Sequence, residues 1–149
     1  MSPGPKRAKG SRSASGFTAE EKAAMRETIR ERRARTAGPE AEREVLEKIA
    51  SMDPSDRRMA ERVHAILRAE APELTPRTWY GMPAYANSDG DVVCFFRDAR
   101  KFKTRYATLG FSDAAKLDDG PMWATDFALR EITPAEEARI VALVRKAIH

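Results

Sequence analysis

The sequence predicts an α+β domain: an antiparallel sheet of about four or five strands with helices packed against it, preceded by a basic N-terminal tail and helix. Three observations carry this. Helical periodicity with cap signals runs up to Pro72 and returns after Thr133. Between them the apolar period shortens toward two and aromatic residues gather. The links between strand-like runs are short, which makes a meander of antiparallel strands.

At 149 residues the chain fits one ordinary domain plus an extension. We place residues 1–38 as a disordered basic leader with a loosely attached helix, and residues 39–149 as the single folded domain. The formal net charge is +4, yet ten of the 27 Lys and Arg fall within residues 1–38 against four Glu, leaving the remainder with 17 basic and 19 acidic residues. The basicity therefore belongs to the leader, where it offers a route to phosphates and hence an alternative nucleic-acid or interaction role for residues 1–38. Residues 1–16 carry almost no apolar content, which is the composition of a solvated arm. The single Cys94 has no partner for a disulfide, and no apolar run approaches the ~20 residues of a membrane span. We expect a soluble, cytoplasmic protein with no membrane partner.

Thr18 and Glu21 form a capping box that opens the first helix, and Ala37-Gly38-Pro39 stops it. Val45, Ile49 and Met52 then recur at helical spacing. Asp53-Pro54 reads as an N-cap followed by a first-turn proline, with Met59, Val63, Ile66 and Leu67 on one face. From Thr75 the pattern changes: "TPRTWYGMPAYAN" predicts a short strand, a kink at Gly81-Met82-Pro83 and a second short strand. Asp89-Gly90 is hairpin chemistry with positive φ, setting Ala84–Asn87 antiparallel to "DVVCFFR". Val92–Phe96 is apolar on both faces and reads as a central strand. In "KFKTRYATLG" strict alternation predicts a strand with Lys101, Lys103 and Arg105 on one face and Phe102 and Tyr106 on the other. Ser112-Asp113 caps a short turn, Asp118-Asp119-Gly120 is turn chemistry, and "WATDFALREI" is a last edge strand. Thr133-Pro134-x-Glu136 caps the final helix, whose stripe includes Ile140, Val144 and Ala147.

No glycine-rich phosphate loop, Gly-x-Ser-x-Gly elbow or His-Glu-x-x-His is present. His64 has no carboxylate four residues away and reads as a boundary histidine, while Cys94 reads as a small buried hydrophobe. No catalytic constellation emerges, so catalytic residues are none and a binding module is the expectation. Asp113, Asp118, Asp119 and Asp126 lie within a 14-residue window and are the candidate metal ligands, since hard cations accept clustered carboxylates. Rings and cations supply the ligand-binding candidates: Trp79, Tyr80, Met82, Tyr85 and Trp123, with Lys101, Lys103 and Arg105 on the neighbouring strand. Aromatics beside Lys and Arg hold planar or anionic ligands.

The strings "TWYGMPAY", "DVVCFFRDARKFKTRYATLGFSDAAKLDDGPMW" and the Thr133-Pro134-Ala135-Glu136 helix start resemble the YdhG-like domain family of bacterial proteins, from about Ala41 to the end. The pattern falls on Tyr80, Gly81, Met82, Pro83, Tyr85, Phe95, Phe96, Lys101, Phe102, Gly110 and Phe111, and in longer forms on Asp118, Asp119, Gly120, Met122 and Trp123. Ala124 stands where such relatives commonly have proline. The resemblance implies a small α+β domain. Because some relatives are described as frataxin-like intracellular iron chaperones, it also implies iron as a bound cargo, though it assigns no ligand. The expected function is therefore non-enzymatic binding of a small ligand or partner protein, with iron as the implied cargo.

Overall fold

The computed structural model describes residues 18–26 and 38–149. The chain divides into two compact units, one reaching Arg33 and the other beginning at Ala34. In the first, α1 is helical over residues 19–26. It opens with the expected box: the Thr18 N–H donates to Glu21 Oε1 at 2.8 Å and the Glu21 N–H to Thr18 Oγ1 at 3.0 Å. Residues 1–17 of the predicted leader, and residues 27–37, lie outside the described residues.

In the second unit the elements are α2 Gly38–Ala50, α3 Pro54–Glu70, β1 Thr75–Trp79, β2 Met82–Ala86, β3 Val92–Arg97, α4 Ala99–Phe102, β4 Ala107–Phe111, β5 Asp126–Leu129 and α5 Pro134–Ala147. The five strands form one antiparallel sheet in the order β1-β2-β3-β4-β5, so the predicted meander is observed.

Gly38 and Pro39 begin α2, the start expected for the second helix, while the predicted end of the first helix lies outside the described residues. Proline suits that place because a first-turn N–H has no intrahelical partner to lose. Ala41, Val45 and Ile49 are the buried residues of α2. At α3 the Asp53 carbonyl accepts the Arg57 N–H at 2.8 Å, which fixes the predicted start. Its buried stripe includes Met59, Val63, Ile66 and Leu67 as expected. The Thr133 N–H donates to Glu136 Oε1 at 2.9 Å at the start of α5, completing the predicted box.

Sheet register explains how two prolines are tolerated. Trp79 pairs with Met82 across a two-residue turn, Thr78 with Pro83 and Pro76 with Tyr85. In such a hairpin the turn-flanking pair exchanges hydrogen bonds and the next pair does not, so Pro83 and Pro76 both fall on non-bonded positions. Neither ring deprives the β1–β2 ladder of a donor. On the other side of β2, pairing to β3 begins only at Ala84 with Phe95.

Alternation then sorts the faces. Tyr85, Cys94, Phe96, Leu109, Phe111 and Leu129 share one face by register and belong to a single core with residues of α2, α3 and α5. Trp79, Met82, Ala84, Phe95 and Gly110 share the other. There Phe95 lies over Gly110, where an added Cβ would stand 2.2 Å from the Phe95 ring.

Two turns differ from expectation. The predicted kink at Gly81-Met82-Pro83 is a full reversal centred on Tyr80 and Gly81, and Met82 and Pro83 already belong to β2. At the next turn only Gly90 has positive φ, at 87°. Its N–H donates to the Asn87 carbonyl at 2.9 Å, while Asn87 Oδ1 accepts the N–H groups of Asp89 and Asp91, each at 3.0 Å. Asn87, not Asp89, organises this loop.

The largest correction concerns the cations. Lys101, Lys103 and Arg105 do not lie on a strand: Ala99–Phe102 is one helical turn, Lys103 ends it at φ 58°, and β4 begins only at Ala107. Asp98 at the N-cap and the helix formers Ala99, Arg100 and Lys101 favour that turn locally. Asp56 secures it from 44 positions away, because its Oδ2 accepts the Arg100 N–H at 3.0 Å. Local alternation lost to a long-range cap.

Candidate functional site

The β1–β2 turn holds Tyr80 at φ 51° and Gly81 at φ 77°. A two-residue turn with both central φ values positive favours Asn-Gly, and a bulky side chain in the first position costs roughly 1–2 kcal/mol. Tyr80 is nevertheless there, 51% exposed, with its ring centroid 5.0 Å from that of Trp79 in an edge-on arrangement. Trp79 in turn meets Phe95 at 5.4 Å. A strained, exposed ring on a rigid hairpin singles out this tip as a candidate surface.

Lys101 joins the tip to a cavity. Its Nζ donates to the Gly81 carbonyl at 3.2 Å; the positive φ of Gly81 is what favours glycine there, and a Cβ would in addition displace the Lys101 ammonium, 2.5 Å away. The same lysine lines a cavity of about 220 Å³ with Lys48, Ser51, Asp53, Asp98 and Arg100. The end of α2, the start of α3 and the α4 turn supply these side chains.

The electrostatics of this cleft are unusual for a surface. Asp98 is 3% exposed, and its Oδ1 has no hydrogen-bond partner. Burial first, with the Asp56 carboxylate adding to it, raises the Asp98 carboxyl above its ordinary range. Lys101 is shifted the opposite way, below the usual lysine value, by desolvation first and then by the Lys48 charge. Arg100 reaches Asp53 at 3.5 Å on the outside, a solvent-screened pair of little energetic weight. Two lysines thus line one cleft with a buried carboxylate whose Oδ1 has no hydrogen-bond partner.

The remaining predicted site residues are dispersed. Tyr85 is 1% exposed and belongs to the core, not to a cleft, because register turns it to the helix-covered face. Met82 is also buried. Lys103 and Arg105 are exposed, and the Arg105 guanidinium lies over the Tyr106 ring at 5.4 Å rather than over the tip. Trp123 is exposed on the loop before β5. Asp113, Asp118, Asp119 and Asp126 are all exposed, and among the described residues no three His, Cys, Asp or Glu side chains come together to hold a metal ion.

Sequence reading missed one polar chain. His64 Nδ1 lies 2.9 Å from the Tyr85 hydroxyl, and Nε2 lies 3.2 Å from Oε2 of Glu42 on α2, which Arg68 also approaches at 3.3 Å. A neutral imidazole satisfies every group: the Nε2–H donates to the carboxylate and Nδ1 accepts from Tyr85. Desolvation lowers the His64 pKa despite Glu42, and burial raises the Tyr85 hydroxyl well above the usual value. The carboxylate comes from another helix, so spacing along α3 could not reveal it. Cys94, cross-strand from Tyr85, is buried and its thiol is pushed up to about 12. It behaves as a small hydrophobe, inert as a nucleophile.

By fold and site, the chain is an α+β protein with a five-strand antiparallel meander, helices packed on it and a cleft at one end of α3. No family model, no curated protein and no solved structure matches the chain.

Proposed function

We propose that this chain is a non-enzymatic, cytoplasmic small-ligand-binding domain of the YdhG-like kind, and that the cleft beside the Tyr80–Gly81 tip takes a small zwitterion of amino-acid size. The observation that carries the reading is that Lys48 and Lys101 line one cavity with buried Asp98. An anionic group relieves the repulsion between the two ammoniums, and a ligand ammonium supplies the donor that Asp98 Oδ1 lacks. The YdhG-like resemblance is part of the proposal, supported by the Tyr-Gly-Met-Pro-x-Tyr pattern falling on the hairpin that presents the Tyr80 ring. Among the described residues no helix is long and apolar enough to cross a membrane.

Calorimetric titration with glycine tests it, with acetate and methylammonium as the two halves. Glycine is expected to bind at least about fivefold tighter than either half, roughly 1 kcal/mol, with Lys48→Gln and Asp98→Asn each abolishing the difference. Equal affinity for all three probes would refute the zwitterion.

A further inference from the structure

A second cavity, of about 490 Å³, opens between the N-terminal half of α3 and the segment joining β5 to α5. Ser55, Arg58, Met59 and Arg62 form one wall, and Arg130 and Ile132 the other. Arg62 is tied to Glu137 of α5, which fixes its plane. Arg58 and Arg130 are exposed and have no hydrogen-bond or ion-pair partner among the described residues. The Asp56 carboxylate, next to Ser55, is committed to the Arg100 N–H, so Ser55 contributes the first-turn hydroxyl at the positive end of a 17-residue helix.

Guanidinium groups converging from two elements make a fork suited to a phosphate, and a helix N-terminus strengthens it. Glu61 and Glu131 line the same cavity, so an all-anionic ligand is disfavoured there. A ligand with hydroxyl donors satisfies those carboxylates. Met59, 7% exposed, and half-buried Ile132 provide an apolar floor, and an arginine plane stacks on a flat ring. The volume lies in the range of ligand sites. We propose that this cavity is a second ligand site, distinct from the cleft, that binds a nucleoside monophosphate: phosphate on Arg58, Arg130 and Ser55, ribose hydroxyls on Glu61 and Glu131, base over Met59 and Ile132.

The test is an amide-resolved NMR titration with adenosine 5′-monophosphate, using inorganic phosphate and adenosine as separate halves. Shifts confined to residues 55–62 and 130–132 are expected. Affinity for the nucleotide should fall about tenfold in Arg58→Gln and in Arg130→Gln, be partly kept in Arg130→Lys, and be unchanged in Lys101→Gln, which alters the cleft and the hairpin tip but no residue lining this cavity. Four outcomes would each overturn the proposal. Inorganic phosphate could bind as tightly as the nucleotide, or the shifts could scatter over the basic surface. Lys101→Gln could lose as much affinity as the arginine variants. Either glutamine variant could fail to fold, showing that its guanidinium is structural.

Discussion

Gly81 offers the sharpest test of how the tip is built. At φ 77° an alanine costs roughly 1–2 kcal/mol in left-handed strain. Its Cβ would also stand 2.5 Å from Lys101 Nζ, so the ammonium must leave the Gly81 carbonyl. Lys101 is exposed and flexible, so that displacement adds at most about 1 kcal/mol. Gly81→Ala is therefore expected to lose about 1–3 kcal/mol, or roughly 4–12 °C in Tm for a domain of this size. Urea unfolding followed by tryptophan fluorescence measures it. Repeating the substitution in a Lys101→Ala background separates the causes: the backbone part persists and the Lys101 part disappears. Gly81→Asn, which tolerates this conformation, should lose less than alanine. A Gly81→Ala protein within about 0.3 kcal/mol of the parent would refute the positive-φ turn.

Three further outcomes follow from the same geometry. Desolvation places the His64 pKa below its unfolded value, so the unfolded chain binds the extra proton first and stability falls as pH drops below about 6.5. His64→Ala should flatten that part of a Tm-against-pH profile, and an unchanged slope would contradict the buried neutral imidazole. Asp98 has a raised folded pKa, so its ionisation weakens the fold as pH rises above the ordinary carboxyl value. Asp98→Asn is accordingly expected to raise Tm at pH 7 and to make little difference near pH 3; a loss at pH 7 would show that the carboxylate is already satisfied. Gly110→Ala drives a Cβ into the Phe95 ring and should cost about 1–3 kcal/mol, most of it recovered in a Phe95→Leu background. Equal losses in both backgrounds would remove the Phe95–Gly110 contact as the cause.

The helices and the strand order were legible because their signals are local. Thr18/Glu21 and Thr133/Glu136 write their own caps, and Asp89-Gly90 marks the hairpin although Asn87 makes its hydrogen bonds. Strand identity failed only at Lys101–Arg105, where alternation was real in the sequence but Asp56 supplies a cap to Arg100 from another helix. Gly38-Pro39 was legible as the start of α2, whose buried residues Ala41, Val45 and Ile49 recur at helical spacing.

The site was half legible, and the division follows from what sets each residue's place. The Lys101–Gly81 hydrogen bond brings Lys101 to the Tyr80–Gly81 turn, although a helical turn, not a strand, delivers the lysine. Lys48 and Asp98 carried no sequence signal, since one is a last-turn helix lysine and the other a cap aspartate, each ordinary alone. Their significance arises only where three helix ends converge on one cleft. Tyr85 illustrates the converse: Tyr80 sits in the turn with no strand partner, whereas register places Tyr85, opposite Pro76 and Cys94, on the helix-covered face. Rings adjacent in sequence were thereby divided, Tyr80 to the surface and Tyr85 to the core.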